Sequence, residues 1–358
     1  MKNNLTATSV SILATLILGS SISPPADGAP PLVTLPTSDS WYGSYVNVQD
    51  YVTSYLSNIS PQAGLITDLT GSDQSTWSVA AASVQGSFPS MIIGTYHSSR
   101  DSETAAVRAV SFPPRAVPLE GLQSSQILYV SGNEYVVDYS QPAARTYLVN
   151  NILSNVLNTQ MPVAFIDNVS SDEMGFPIPW STTMGLISDI VAQLHTQGVR
   201  VIINAAWAPG LTSQQNVDAL ISTGVDGVSL EMAFLDPGVR HSICAIQTAI
   251  SQYRQMLDAG LTVIFISLPG TDPSDTGDVE GHLQAAFGLM FRKPGDKLFI
   301  AQSYWQPIPD WTGWPARLGT PNGNAVITAD AQGEIVMTRQ FANGSVSLNT
   351  TTRGVTAP

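Results

Sequence analysis

One cysteine, Cys244, is all the chain holds, so no disulfide can form within it and the fold must rest on packing alone. That cysteine lies in an apolar, helix-like stretch beside Ile243, Ala245 and Ile246, which predicts a small buried hydrophobe. No His or Asn is spaced to make it a thiol-protease nucleophile. Charge is also scarce, at 11% of residues. The Lys and Arg residues nowhere cluster, which excludes a nucleic-acid-binding surface. The formal net charge of −13 favours neutral or cationic partners over anionic ones. There is no G-x-S-x-G nucleophile elbow, no H-E-x-x-H, no phosphate-binding loop and no G-x-G-x-x-G after a strand. The histidines at 97, 195, 241 and 282 lack metal-ligand spacing. Neither a metal nor a cofactor is expected.

What is present is enough apolar sequence for a sizeable core: 358 residues, 43% of them hydrophobic. The start resembles an export signal. Lys2 gives a positive beginning, Val10 to Ile22 an apolar run of signal length, and Pro24 to Ala29 a region for cleavage near residues 23–29. The alternative is an uncleaved membrane anchor. A lipoprotein anchor is excluded because no cysteine follows the run, and no later run is long enough to span a bilayer. The expected location is secreted or extracytoplasmic, with no integral span after signal removal. Residues 1–28 are read as signal peptide and the start of a Pro-rich linker.

Beyond that linker, strand-like and helix-like pieces alternate. Strands are expected at Trp41–Val46, Leu65–Leu69, Met91–Tyr96, Val163–Asp167, Val199–Asn204, 227–230, Leu261–Ser267 and Leu298–Ala301. Helices are expected over 49–58, 74–85, 141–158, 182–196, 213–223, 240–258 and 279–291. Pro142 suits a first helical turn, and Gly198 and Gly260 sit where helices should end. The segment 109–134, with Pro113, Pro114, Pro118 and Gly121, reads as a long irregular connection. Near-continuous apolar strands alternating with helices mean a parallel sheet. About eight repeats favour an α/β (β/α)8 TIM barrel over 38–318; an open doubly wound sheet is the alternative. The remainder, 319–358, reads as a small antiparallel β appendage with strands at Asn324–Thr328, Glu334–Gln340 and Ser345–Asn349.

Two short apolar runs end in a carboxylate: Val163-Ala164-Phe165-Ile166 at Asp167, and Val225-Asp226-Gly227-Val228-Ser229-Leu230 at Glu231. Strand C-termini of a parallel barrel converge on one mouth. Two carboxyl groups there can divide the acid and the nucleophile or base roles in glycosidic cleavage. A loop-capping Asp, or a Glu paired to Arg240 or Arg200, is the structural alternative. Asn204 ends the strand between them and could hold a sugar hydroxyl or a carboxylate. Asp68, Tyr96, Asp138 and Asn168 also fall at strand ends or next to them and are read as substrate-binding. For Asp138, a turn or helix-capping role is the alternative. His97 and Arg100 could bind substrate, but they read first as loop surface. Trp207, Tyr304 and Trp305, with Trp180, Trp311 and Trp314, are candidates for stacking on sugar faces, with loop packing as the alternative.

Several phrases also carry a family likeness. Asp138-Tyr139-Ser140-Gln141-Pro142-Ala143-Ala144-Arg145 is followed by a strand ending Asp167-Asn168 and another ending at Asn204. Then come Asp226-Gly227 with Glu231 and Phe234, and a tail carrying Arg339, Phe341, Asn343, Gly344, Val346 and Asn349. In this order, over about residues 130–350, they resemble glycoside hydrolase-like family 15. More distantly, the chain is similar to glycoside hydrolase family 114, the endo-α-1,4-polygalactosaminidases. The resemblance implies a TIM barrel, hydrolysis of a polysaccharide or oligosaccharide, and Asp167 and Glu231 as the catalytic pair. A monomer is expected. The rival readings are a non-catalytic carbohydrate-binding barrel and a secreted surface-interaction protein.

Overall fold

The computed structural model describes residues 42–45, 65–67, 92–98, 127–131, 134–159, 161–167, 169, 179–205, 214–231, 242–267, 278–302, 313–329 and 333–357. The export segment, the Pro-rich linker and the helices expected over 49–58 and 74–85 lie outside these residues.

The central unit is a parallel sheet alternating with helices. Its strands are β6 (Val163–Asp167), β7 (Arg200–Asn204), β8 (Gly227–Glu231), β9 (Thr262–Ser267) and β10 (Leu298–Gln302), paired in that order. Three more segments pair in parallel with it: β1 (Tyr42–Tyr45) with β10, β2 (Leu65–Thr67) with β1, and β3 (Ile92–Ser98) with both β2 and β6.

The helices follow from apolar spacing and local stops. They are α1 (Pro142–Thr159), α2 (Trp180–Thr196), α3 (Gln214–Ser222), α4 (Ile243–Asp258) and α5 (Asp278–Phe291). In α2 the buried residues Thr183, Met184, Leu186, Ile187, Ile190, Val191 and Leu194 recur at three- and four-residue steps, the signature of one buried face. Each large aliphatic among them contributes about 1.5–3 kcal/mol by leaving water. Helix α4 opens on Ser242, whose hydroxyl accepts the Ala245 N–H at 3.1 Å. Gly198 and Gly260, at φ 75° and 86°, supply the left-handed turns that end α2 and α4.

Both faces of the parallel sheet are buried, in different company. Ala164, Ile166, Val201, Ile203, Val228, Leu230, Val263 and Phe265 join the helices in one hydrophobic cluster. The alternate residues Val163, Phe165, Ile202, Asn204, Ser229, Thr262, Ile264 and Phe299 are buried as well, on the face turned away from those helices. Gly227 belongs to this second face. A Cβ there would sit 2.8 Å from the Thr262 carbonyl oxygen, so only glycine lets β8 and β9 close at that level.

Three readings need correction. Part of the stretch expected to be irregular is a pair of antiparallel strands, β4 (Ile127–Ser131) with β5 (Glu134–Val137), because β-branched and aromatic residues fill both. Cys244 is exposed. The buried face of α4 is set by Ile246, Ala249, Tyr253, Met256 and Leu257, and position 244 falls outside that stripe. Trp314 opens α6 (Trp314–Leu318) only 3% exposed, its ring centroid 5.4 Å from that of His282; it is a core residue, not a sugar platform.

The C-terminal sheet has four antiparallel strands in sequential order: β11 (Val326–Ala329), β12 (Ile335–Phe341), β13 (Gly344–Asn349) and β14 (Gly354–Thr356). The sequence predicted the first three. Helix α5 lies between this sheet and β9–β10, which explains why Leu283, Ala285, Ala286, Phe287, Leu289, Met290 and Phe291 are buried almost all round it. Arg339 stitches the two layers. Its Nη1 donates to the Leu289 and Arg292 carbonyls at 2.7 Å each, and its Nε to the Gly323 carbonyl at 2.7 Å. A cation against the C-terminal carbonyls of a helix also meets the favourable end of its dipole. Burial, and then the nearby Arg254 charge, press the Arg339 guanidinium below its usual value, against a smaller pull from Asp296.

Candidate active site

The site is read from the C-terminal ends of β6, β7 and β8. Asp167, Asn204 and Glu231 are the last residues of these three consecutive strands. Apolar runs carry each backbone to its polar end, and the ladder continues past the strand ends. The Val169 N–H donates to the Asn204 carbonyl at 3.1 Å, and the Ala205 N–H to the Ser229 carbonyl at 3.0 Å. The three backbones therefore stay in register up to the acids.

That register fixes which residues share a face. Phe165 pairs with Ile202, and Ile166 with Ile203, so position 167 continues opposite position 204. Asn204 pairs with Ser229, and Glu231 lies two residues beyond Ser229 on the same strand. Paired residues of a parallel sheet share a face, as do residues two apart on a strand. Positions 167, 204, 229 and 231 thus belong to one face, the one turned away from the helices. On the other side of β6, Ser98 pairs with Asp167 and Tyr96 with Phe165, which adds positions 96 and 98 to that face. Beneath this polar row lie Phe165 and Ile202, and the row itself runs on into Ile264 of β9 and Phe299 of β10. Asn204 is 4% exposed and Ser229 fully buried. Among the described residues, no hydrogen-bond partner reaches the Ser229 hydroxyl, and none reaches that of Thr262 one step lower.

Asp138 stands apart from this row. It follows β5, and its carboxylate accepts from the Ser140 N–H at 3.2 Å, from the Ser140 hydroxyl, and from Gln141 Nε2 at 2.7 Å. Burial raises its pKa, but these hydrogen bonds outweigh it and hold the carboxyl below its ordinary value. Its carbonyl also accepts the Gln141 N–H at 3.1 Å. Asp138 therefore organises the turn into α1. Next to it, Tyr139 Oη shares a 3.0 Å hydrogen bond with Thr183 Oγ1, joining α1's entry to α2. Trp180 is half-buried against the core and donates its Nε1–H to the Asn216 carbonyl at 3.4 Å.

The acid of the Asp226-Gly227 pair serves the opposite end of the strands. Asp226 accepts from Arg200 Nη1 at 2.5 Å, from the Val201 N–H at 2.8 Å, and pairs with His195 Nε2 at 2.9 Å. Arg200, one structural partner considered for Glu231, thus holds an acid at the strand entries.

No family model and no curated protein matches the chain. Solved structures do. A variant of the GH27 β-L-arabinopyranosidase from Geobacillus stearothermophilus, solved with arabinose, aligns over 90% of this chain and 85% of its own at 11% identity and a TM-score of 0.51. Ega3 of Aspergillus fumigatus, solved with galactosamine, aligns over 77% and 95% at 13% identity and a TM-score of 0.46. The glycoside hydrolase domain of PelA from Pseudomonas aeruginosa aligns over 74% and 94% at 13% identity and a TM-score of 0.45. At these identities the likeness is one of fold, carried by the first of the three. The specific family suggested by the sequence phrases has no matching model behind it.

Asp68, Asn168, Trp207, Tyr304, Trp305 and Trp311 lie outside the described residues, as does Arg100. Among the described residues no cluster of His, Cys, Asp and Glu could hold a metal ion, and no helix is long and apolar enough to cross a membrane. Ser98 and Ser229 are the members of the row that sequence reading missed. The signal for Ser229 was available: one small polar residue between Val228 and Leu230 in an otherwise apolar strand.

Proposed function

We propose that the chain is a glycoside hydrolase built on a closed (β/α)8 barrel, with Asp167 and Glu231 as its two carboxyl groups. The observation that carries this reading is the register: both acids end their strands, on one face, with a single strand between them. Strands are spaced about 4.8 Å apart and rise about 3.3 Å per residue, which sets the two backbones roughly 10–12 Å apart. Side chains of this length can bring the carboxyl groups within the roughly 5–9.5 Å that glycosidic cleavage uses. Strand pairing that runs from β6 through β10 to β1, β2, β3 and back to β6 supports closure. So does the burial of a sheet face that none of the described helices covers.

In this mechanism one carboxyl protonates the leaving oxygen. The other, ionised, either attacks the anomeric carbon or activates water. Asn204 and Tyr96 belong to the substrate-binding part of the face, with Asp68, Asn168, Trp207, Tyr304 and Trp305 as the further substrate-binding candidates. Residues 38–318 form the catalytic unit, and 319–358 a β appendage stapled to it. The substrate is a polysaccharide, and the net charge of −13 favours a neutral or amino-sugar polymer over a polyanion. Export rests on Lys2 and the apolar run to Ile22. The protein acts as a monomer without a cofactor.

The test is hydrolysis of a panel of neutral and amino-sugar polysaccharides by the purified chain and by Asp167→Asn and Glu231→Gln. Each variant should lose at least about a hundredfold in rate with its fold intact, the scale of a missing general acid or base. Wild-type rates in either variant would remove that residue from the chemistry. The anomer first released, followed by proton NMR, reports retention or inversion.

A further inference from the structure

We propose that the groove between α1 and α2, on the helix side of the sheet and apart from the two acids, holds one stretch of a neutral saccharide. The groove has a volume of about 340 Å³. That is at the lower end of the roughly 300–1,000 Å³ usual for small-molecule sites, room for about one or two sugar rings. Pro142 and Val149 are its apolar walls, and Arg145, Asn150, Asp189 and Gln193 its polar ones. Positions 167 and 231 belong to the sheet face turned away from these helices, so the groove is no part of that cleft.

The groove is built around Arg145. Gly185 lies inside α2, where glycine is unfavourable. A Cβ there would fall 2.8 Å from Arg145 Nη1 and 3.1 Å from Nη2, so its absence is what admits the guanidinium. One turn on, Asp189 accepts from Arg145 Nε at 2.6 Å and lies 2.6 Å from Nη2. An ion pair this open to water, its side chains 28% and 47% exposed, stabilises a fold little. Glycine and pair together thus add little stability, yet they fix a cation and an anion side by side in the groove wall. Asn150 and Gln193 are exposed, and their amides make no hydrogen bond among the described residues. Arg145 only donates, Asp189 only accepts, and the two amides do both. A free anion would meet the Asp189 carboxylate, and a free cation the Arg145 guanidinium. A hydroxyl donates and accepts, so an uncharged ring carrying several of them suits the whole set. The choice of a saccharide rests on the proposed activity, to which the groove adds a second hold on the same polymer.

The full chain, the double variant Asn150→Ala/Gln193→Ala and the single variant Gly185→Ala are titrated calorimetrically with galactose, N-acetylgalactosamine, glucose and short oligomers of each. Inorganic phosphate and glucuronate serve as anionic probes. Thermal midpoints are recorded, and hydrolysis of the polysaccharide panel is followed on the same preparations. The double variant is expected to melt as wild type does and to bind the preferred neutral sugar about tenfold more weakly, the scale of two lost hydrogen bonds to a neutral ligand. Gly185→Ala, which displaces the guanidinium, is expected to weaken the same binding. Binding by the double variant within twofold of wild type overturns the proposal. So does a wild type that binds none of the neutral sugars, or one whose groove-dependent ligand is phosphate or glucuronate. If the double variant melts early, the test passes to Gly185→Ala, for which unchanged binding is equally fatal. Groove-dependent sugar binding without hydrolysis fails the catalytic reading alone. Hydrolysis with groove-independent binding fails this one alone.

Discussion

Asp226 takes the backbone N–H of Val201 at 2.8 Å, tying the residue before β8 to the second residue of β7. The same carboxylate, 8% exposed, holds Arg200 and His195. One side chain thereby sets the register of the two strands that end in Asn204 and Glu231, from the end of the sheet farthest from the chemistry.

Replacing Asp226 with Ala leaves a guanidinium and a backbone N–H without their acceptor. The expected loss is about 2–4 kcal/mol in denaturant unfolding. Activity per folded molecule should stay within a few-fold of wild type, since Asp226 lies at the end of the strands opposite the proposed acids. A loss below about 0.5 kcal/mol would reduce the network to surface decoration.

Two glycines should respond differently to the same methyl group. At Gly227 a Cβ meets the Thr262 backbone oxygen at 2.8 Å, and backbone cannot swing aside. Gly227→Ala should cost about 1–3 kcal/mol. At Gly185 the nearest atom is Arg145 Nη1, also at 2.8 Å, the far end of a flexible side chain paired with Asp189. Gly185→Ala should therefore cost less. Thermal melts that reverse this order would contradict the packing described for the inner face.

Arg339→Met keeps much of the bulk and removes three hydrogen bonds to carbonyls, two of them at the end of α5. A loss of about 2–4 kcal/mol is expected. Truncation before residue 319 should go further and yield aggregated protein, because it uncovers the outer side of α5. A soluble, cooperatively melting 38–318 fragment would show the appendage to be dispensable.

Asp138 gives a pH signature. Its folded-state pKa lies below the ordinary value of 3.8, so the native state prefers the ionised form. The stability it contributes is full above that value and is lost as pH falls through the lowered folded one. Wild type should therefore exceed Asp138→Asn in stability near neutrality, and the two should converge as pH falls below the ordinary carboxylate range. Parallel curves across that range would mean the Ser140 and Gln141 contacts discriminate nothing.

Much of the architecture was legible because long, strongly patterned elements report themselves. The helix expected over 141–158 spans 142–159, and the strands ending at Asp167 and Glu231 end there. Proline and glycine upstream hid the antiparallel pair of β4 and β5. The three-residue β14 is too short for any periodicity to show. Trp314 and Cys244 misled because burial depends on which side of a helix meets the neighbouring layer, and an apolar neighbourhood in sequence does not say. The acids could be located at strand ends from sequence. That they share a face depends on interstrand register, which no local pattern encodes. Asp226 was the reverse case: read as part of a family phrase, it works through partners 26 and 31 residues away.

The guanidinium at 339 arrives fifty residues after the Leu289 carbonyl it satisfies. During synthesis α5 therefore emerges with bare C-terminal carbonyls and an uncovered apolar back, and it stays so until β12 has been made. A chain interrupted before that point offers chaperones and proteases a greasy, unfinished helix, so production of this protein is expected to be all-or-nothing in the length of chain delivered.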